Sequence, residues 1–264
     1  MRAVEYRRYG PASVLELRDV QRPGPGRGEL LVRVRAAALN PKDALVRAGK
    51  FRLLSGARFP KRVGFDWAGE VEEVGPGVDG VARGSAWYGM LDGWYGGACA
   101  EYLAVRRADC APKPASLGFE EAAAVPLAAS TALQALRDVA RVQAGGRVLV
   151  NGASGGVGVF AIQVAKLLGA HVTTTSSAAN LELCRRLGAD LALDYRAEDA
   201  LAAPHRYDAV LDVFGNRSLG EARRALSPGG TYVTTVPKAR TFLDVALTAF
   251  GAPRARVVVV RPRS

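Results

Sequence analysis

The sequence lacks any run of about 18 uncharged apolar residues, so it predicts no membrane-spanning helix. Its start, MRAVEYRRYG, has no apolar core of a secretory leader, and a cytoplasmic location is expected. Cysteine is scarce. Cys99, Cys110 and Cys184 stand far apart, with no C-x-x-C pair and no Cys/His cluster, which argues against a structural zinc site. The 2 histidines are His171, opening an expected strand, and His205, after a proline in an expected loop. Both read as surface or satisfied core residues, and no metal site is expected. Lysine is rare too, at 6 of the 36 basic residues. The net charge of +11 raises the question of nucleic acid. The arginines, however, are spread along the whole chain. The densest pairs, such as Arg7-Arg8, Arg106-Arg107, Arg185-Arg186 and Arg223-Arg224, do not interleave with aromatics. No main role in binding nucleic acid is expected.

What is present is an ordinary globular composition, with 49% hydrophobic and 23% charged residues in 264. That length can hold one large domain or two modest ones. The first 110 or so residues read as strands punctuated by Gly and Pro. ELLVRVRAAAL (Glu29–Leu39) alternates apolar and charged residues, GEVEEVGPGV (Gly69–Val78) runs into a Gly-Pro-Gly turn, and ACAEYLAV (Ala98–Val105) is a further short strand. An Ala/Leu-rich helical stretch follows, opened by a capping turn at Ser116 with Glu120 and Glu121, and broken at Pro126. It reads as the hinge between residues 1–120 and residues 121–264. From Arg147 on, strands alternate with helices. Strands are predicted at Val148–Asn151, His171–Thr175, Leu191–Asp194, Ala209–Val213, Thr231–Val236 and Arg256–Arg261. Helices are predicted at Val157–Leu168, Asn180–Leu187, Ser218–Leu226 and Phe242–Phe250. This alternation predicts an α/β fold, a doubly wound parallel sheet of the Rossmann kind after a β-rich N-terminal domain.

RVLVNGASGGVGVFAIQVAKLLGA (Arg147–Ala170) places Gly152, Gly155, Gly156 and Gly158 where the first strand meets the first helix. Bare amides and the positive end of a helix dipole suit a diphosphate there, and a β-carbon would hold it off. The glycines could also serve only close helix–strand packing. The strand before, the helix after and the alternation that follows favour dinucleotide binding. The second strand ends in HVTTTSSAAN with no carboxylate to repel a 2′-phosphate, while Ser176 and Ser177 offer hydroxyls; this favours NADPH over NADH.

Taken together, several segments resemble the zinc-free quinone oxidoreductases of the medium-chain dehydrogenase/reductase superfamily. They are AALNPKDALVRAG (Ala37–Gly49), FPKRVGFDWAGEVEEVG (Phe59–Gly75), GGACAEYLAV (Gly96–Val105), EEAAAVPLAASTALQAL (Glu120–Leu136), the glycine loop and RRLGADLALDY (Arg185–Tyr195). They occur in the family's order and span nearly the whole chain. The resemblance implies a GroES-like N-terminal domain, a Rossmann domain and hydride transfer from NADPH to a quinone or an α,β-unsaturated carbonyl. Zinc-dependent members place Cys where this chain has Asn40, and His and Glu where it has Phe65 and Asp66, so the resemblance implies a reaction without zinc.

The resemblance also implies roles at particular positions. Asn40 and Asp43 match an N-x-x-D motif on the substrate side. Asn40 either hydrogen-bonds a carbonyl or ribose, or caps a helix that begins at Pro41; Asp43 acts there or orients the loop. Tyr88 is a further donor for the acceptor oxygen, and Trp87, Tyr88, Trp94 and Tyr95 either line an aromatic pocket or pack in the domain. Thr131, Ser154, Gly155, Gly156 and Val157 are expected around the nicotinamide and pyrophosphate. Ser176, Ser177 and Tyr195 are expected around the adenosine ribose, and Phe214 and Val236 beside the nicotinamide. Relatives continue roughly 60 residues further, so a homodimer covering the exposed area, or reduced stability, is expected. Two other readings share these features: an enoyl-thioester reductase, and a non-catalytic nucleotide-binding protein, RNA-associated or regulatory.

Overall fold

The computed structural model describes residues 1–249, 251 and 253–262. The chain divides into two compact units, Met1–Leu127 with Arg261 and Pro262, and Ala128–Val260.

The first unit is mostly antiparallel. Its elements are β1 (Arg2–Tyr6), β2 (Glu16–Asp19), β3 (Glu29–Ala38), α1 (Pro41–Arg47), α2 (Arg52–Ser55), β4 (Lys61–Arg62), β5 (Asp66–Val74), β6 (Ala86–Met90), β7 (Tyr102–Arg106), β8 (Cys110–Pro112) and α3 (Phe119–Ala123). A five-stranded sheet runs in the order β7-β3-β5-β6-β8, and a three-stranded sheet in the order β2-β1-β4. Leu30, Val32, Trp67, Val71, Trp87, Leu103 and Val105 form the core of the larger sheet. Their alternation along each strand is the period-2 pattern expected of a sheet with one buried face. The helix after Ser116 starts later than its capping signal suggests. Gly118 is the cap of α3, and Glu121 accepts the Gly118 N–H at 2.7 Å, so the acidic first turn supplies the satisfying group and Ser116 does not.

The second unit is the parallel half. α4 (Pro126–Leu133) leads into a π-helical turn over Gln134–Val139. Then follow β9 (Arg147–Asn151), α5 (Gly156–Leu167), β10 (His171–Ser176), α6 (Leu181–Arg186), β11 (Leu191–Asp194), β12 (Tyr207–Asp212), α7 (Leu219–Ala222), β13 (Leu226–Thr234), α8 (Ala239–Leu247) and β14 (Arg254–Val257). The sheet order is β11-β10-β9-β12-β13-β14, and every pairing is parallel. This is the doubly wound order, with the direction of winding reversing beside β9. The strand centres are apolar because helices cover both faces.

Several boundaries move from the sequence expectation: the strand expected over Arg256–Arg261 is Arg254–Val257, and the one expected over Thr231–Val236 is Leu226–Thr234. The helix expected over Ser218–Leu226 is the single turn α7, because Leu226 already pairs with Tyr207 as the first residue of β13. The helix expected over Phe242–Phe250 runs Ala239–Leu247, and Phe250 lies outside the described residues.

Candidate functional site

In the second unit the chemistry gathers at the carboxyl ends of β9, β10, β12 and β13. Gly152 turns the chain out of β9 with φ +82°, in the left-handed region that glycine occupies without strain. α5 then starts at Gly156, with Gly155 as its cap. Two glycines of this loop differ in kind. A Cβ on Gly158 would lie 2.5 Å from both the Gly152 and Ala153 carbonyl oxygens, so Gly158 is needed for packing. A Cβ on Gly156 would meet nothing within 4 Å. The start of α5 thus has unobstructed space over its free N–H groups, and a phosphate can approach there. The residues present fit a dinucleotide.

Beneath the loop lies a buried polar network. Asn151 donates from Nδ2 to Asp212 Oδ1 at 2.8 Å and to Asn216 Oδ1 at 2.7 Å, and Thr175 Oγ1 donates to Asn151 Oδ1 at 2.7 Å. Asp212 also accepts the N–H of Gly215 at 2.9 Å and of Arg217 at 3.0 Å, and the Tyr232 hydroxyl at 2.9 Å. Burial raises the Tyr232 phenol far above its ordinary range, and the Asp212 carboxylate raises it further, so it stays a donor. The network fixes the turn that carries Phe214, which is 71% exposed, and brings Gly215 against Val236.

The expected ribose residues divide. Asn180 donates to Ser154 Oγ and to Ser177 Oγ, both at 3.2 Å, which ties the glycine loop to the end of β10. Ser176 is buried; its hydroxyl donates to the Ser177 carbonyl and accepts from Cys184 Sγ at 3.7 Å. Tyr195 is half exposed and stands beside the end of β10, held by its N–H to the Ser176 carbonyl at 3.2 Å. Arg196, which sequence reasoning missed, sets its guanidinium 5.6 Å from the Tyr195 ring centroid. It is distant from β10 in sequence, and only the parallel pairing of β10 with β11 brings it to this corner. Val157 is the second residue of α5, and Thr131 is buried in α4.

In the first unit Asn40 stands at the cap of α1, with Pro41 at the first helical position. Its side chain does not cap. Asp43 caps Asn40 instead, accepting its N–H at 2.9 Å and the Gly64 N–H at 2.6 Å. Asn40 Nδ2 donates to Asp66 Oδ2 at 2.9 Å, while Leu127 N–H reaches Asp66 Oδ1 at 3.0 Å. Asp66 is 1% exposed. Burial pushes its pKa up to about 7, against the hydrogen bonds from Asn40 and Leu127. The sequence signal for this carboxylate was its place beside Phe65 and Trp67 at a buried strand start.

A stability prediction follows. Asp66 holds its proton more tightly in the folded state than in the unfolded chain. The contribution of Asp66 to stability is therefore largest at acid pH and falls as pH rises from about 4 to about 7, then levels off. Between pH 5 and 8 the loss is roughly 2–3 kcal/mol. Asp66→Asn is expected to flatten most of this slope in urea titrations at several pH values. Burial raises Asp43 as well, which leaves a residual slope of the same sign.

The four aromatics weighed as one pocket do not form one. Trp87 and Tyr88 are neighbours on β6 and point to opposite faces. Trp87 joins the sheet core, whereas Tyr88 packs with Ala68, Ala122, Ala123 and Phe119. Trp94 stacks with Phe51 at 4.7 Å, and Tyr95 lies near Lys61. Among the described residues, no group of three or more His, Cys, Asp or Glu is placed to hold a metal.

Comparison with known proteins follows this division. Residues 26–115 match the alcohol dehydrogenase GroES-like domain, and residues 156–260 match the zinc-binding dehydrogenase family. The chloroplast envelope quinone oxidoreductase homolog of Arabidopsis thaliana is 37% identical over 247 residues, which cover 90% of this chain and 75% of the relative. The NADPH-dependent alkenal/one oxidoreductase of Arabidopsis chloroplasts is 39% identical over 242 residues, 88% of this chain and 62% of that one. The chain thus spans less than two thirds of some relatives. A solved quinone oxidoreductase from Coxiella burnetii matches with a TM-score of 0.87 at 32% identity, covering all of this chain and 84% of the other.

Proposed function

We infer the activity from one premise: the chain belongs to the medium-chain dehydrogenase/reductase superfamily. We propose that it reduces a quinone or an α,β-unsaturated carbonyl with NADPH and without zinc. The observation that carries the reading is the open start of α5 at Gly156, above the Asn151–Asp212 network at the switch point of the sheet. The names of the Arabidopsis relatives support the acceptor class and the cofactor. The zinc-free reading rests on the side chains at Asn40, Phe65 and Asp66. A phenyl ring cannot ligate zinc, an amide is a poor donor to it, and Asp66 already accepts from Asn40 and Leu127.

When bound, NADPH supplies the hydride. The N–H groups at Gly156 and Val157 hold the pyrophosphate with the α5 dipole, and Ser154, oriented by Asn180, adds a hydroxyl. Ser177, Tyr195 and Arg196 receive the 2′-phosphate end. Ser176 is turned to Cys184 and supports the strand end from inside. Phe214 and Val236 flank the nicotinamide side, with Thr131 nearby. Asn40 presents its amide toward the acceptor or ribose, Asp43 orients the Asn40 and Gly64 backbone, and Tyr88 remains a candidate donor. The proposal includes a homodimer and a cytoplasmic setting. No helix among the described residues is long and apolar enough to cross a membrane.

The direct test is NADPH oxidation with a panel of quinones, enones and enoyl thioesters. Turnover of the first two classes is expected; turnover of thioesters alone would move the enzyme to acyl-chain synthesis. Cofactor choice has its own test. Arg196→Ala is expected to weaken NADPH binding about 10-fold, equivalent to about 1.4 kcal/mol, and to leave NADH binding unchanged. Equal losses for both nucleotides in fluorescence titration would remove Arg196 from 2′-phosphate recognition.

A further inference from the structure

The first unit carries an apolar tip that the reading above does not use. The short helix α2 (Arg52–Ser55) is pinned on both sides. Before it, the Phe51 ring packs on Trp94 at 4.7 Å. At its end Ser55 is fully buried. The Ser55 hydroxyl donates to the Phe51 carbonyl at 3.0 Å and lies 2.9 Å from the Tyr9 hydroxyl, and the Ser55 carbonyl accepts from Lys61 Nζ. Between these anchors Leu53 is 94% exposed and Leu54 is 59% exposed. The held backbone keeps both leucines in water, and adjacent large apolar side chains left there mark a contact surface.

The charge around the tip is one-sided. Residues 44–65 hold Arg47, Lys50, Arg52, Arg58, Lys61 and Arg62 and no Asp or Glu. Arg47 donates to the Gly10 carbonyl at 2.7 Å, Lys61 is turned inward to Ser55, and Arg62 lies 4.0 Å from Glu5. Lys50, Arg52 and Arg58 are exposed, and among the described residues no carboxylate pairs with them. In the same unit Arg2, Arg18, Arg22, Arg35 and Arg106 each have such a partner. The adjoining loop over residues 91–97 has one carboxylate, Asp92, which lies 3.7 Å from Arg106. Arg58 also lines, with Phe59, Pro60 and Tyr95, an open groove of about 600 Å3.

We propose that this tip docks on an anionic lipid surface. Two leucines alone partition weakly into a bilayer, and three cations alone reach only its headgroups. Together they supply the two signals that firm attachment takes. The stems of Lys50, Arg52 and Arg58 lie along the interface while their charged ends meet lipid phosphates, and the exposed Tyr95 suits the headgroup level. A protein partner would need a pocket to receive a side chain that projects as far as Leu53, whereas acyl chains part around it. A nucleic acid would satisfy the cations and leave the leucines in water. The contact is peripheral and reversible. An apolar quinone or enone concentrates in the same bilayer, so docking brings the protein to such an acceptor; the docking itself does not depend on the reductase reading.

The experiment is co-sedimentation of the full chain with phosphatidylcholine vesicles, with and without about 30% phosphatidylserine. Binding is expected only to the anionic vesicles, with release at about 0.5 M NaCl. Lys50→Gln/Arg52→Gln/Arg58→Gln is expected to weaken it about 100-fold. Leu53→Ser/Leu54→Ser is expected to weaken it about 10-fold at an unchanged melting temperature, since both side chains are exposed. Arg186→Gln/Arg223→Gln/Arg224→Gln removes the same charge elsewhere and is expected to bind within about twofold of the parent. A parent that ignores anionic vesicles would overturn the proposal, and so would a control variant that loses as much as the tip variant. A leucine variant that binds like the parent would overturn it too. If single-stranded RNA then binds through Lys50, Arg52 and Arg58 with the leucines immaterial, the face is a nucleic-acid site and the lipid proposal falls.

Discussion

Gly156→Val is expected to leave the protein folded and to weaken NADPH binding on the order of 100-fold, equivalent to about 2.8 kcal/mol. The two halves of this expectation have separate causes. A Cβ at Gly156 meets no atom within 4 Å, and the position is ordinary helix, so a valine there strains nothing. Its methyl groups would instead fill the space above the first free N–H groups of α5. A phosphate has to come within hydrogen-bond distance of those groups, at roughly 2.7–3.2 Å. The matching control is Gly158→Val, whose Cβ would be forced to 2.5 Å from two carbonyl oxygens and which should lose stability outright. Calorimetry with NADPH and thermal melts of both variants separate binding from folding. A folded Gly156→Val protein with parental affinity would exclude this loop as the phosphate site.

The parallel sheet was legible because each βα unit repeats the same signal, an apolar run, a turn and an amphipathic helix. The strand over Leu191–Asp194 is where the pattern puts it. Elements of one or two turns were less so. α7 is short because Leu226 is claimed by the sheet core, and that depends on Tyr207, which lies 19 positions away in the chain. The glycine loop was visible as a group, yet the separate duties of Gly156 and Gly158 depend on which carbonyl lies opposite each one.

The same limit applies to the polar residues. Asn40 before Pro41 reads equally well as a cap and as a functional amide. The structure shows Asp43 accepting the Asn40 N–H from inside the helix, and Asp66 accepting from the Asn40 amide from 26 residues away. Arg196 could not be connected with Ser177 before the strand order was known, since the neutral segment after β10 contains no base of its own. Local pattern reveals what a backbone segment does; pairing between distant polar groups has to be seen.

The largest stability effect should come from Asp212. Its carboxylate is fully buried and accepts from Asn151 Nδ2, the N–H groups of Gly215 and Arg217, and the Tyr232 hydroxyl. Asp212→Ala leaves these donors in a dry site with nothing to accept them, and the expected cost is about 3–5 kcal/mol in urea unfolding. Asp212→Asn keeps one acceptor oxygen but sets an NH2 group against donors, so it should fall between parent and alanine. Tyr232→Phe removes a single bond and should cost about 1 kcal/mol. The same residues fix the turn bearing Phe214 and Gly215, where the cofactor reading places the nicotinamide side. NADPH affinity should therefore drop in Asp212→Asn even where the protein is fully folded, and should hold in Tyr232→Phe, because the backbone donors of the turn keep their acceptor. If Asp212→Asn melts and binds as the parent does, the turn is held by the strand ends alone and the network has no part in shaping the site.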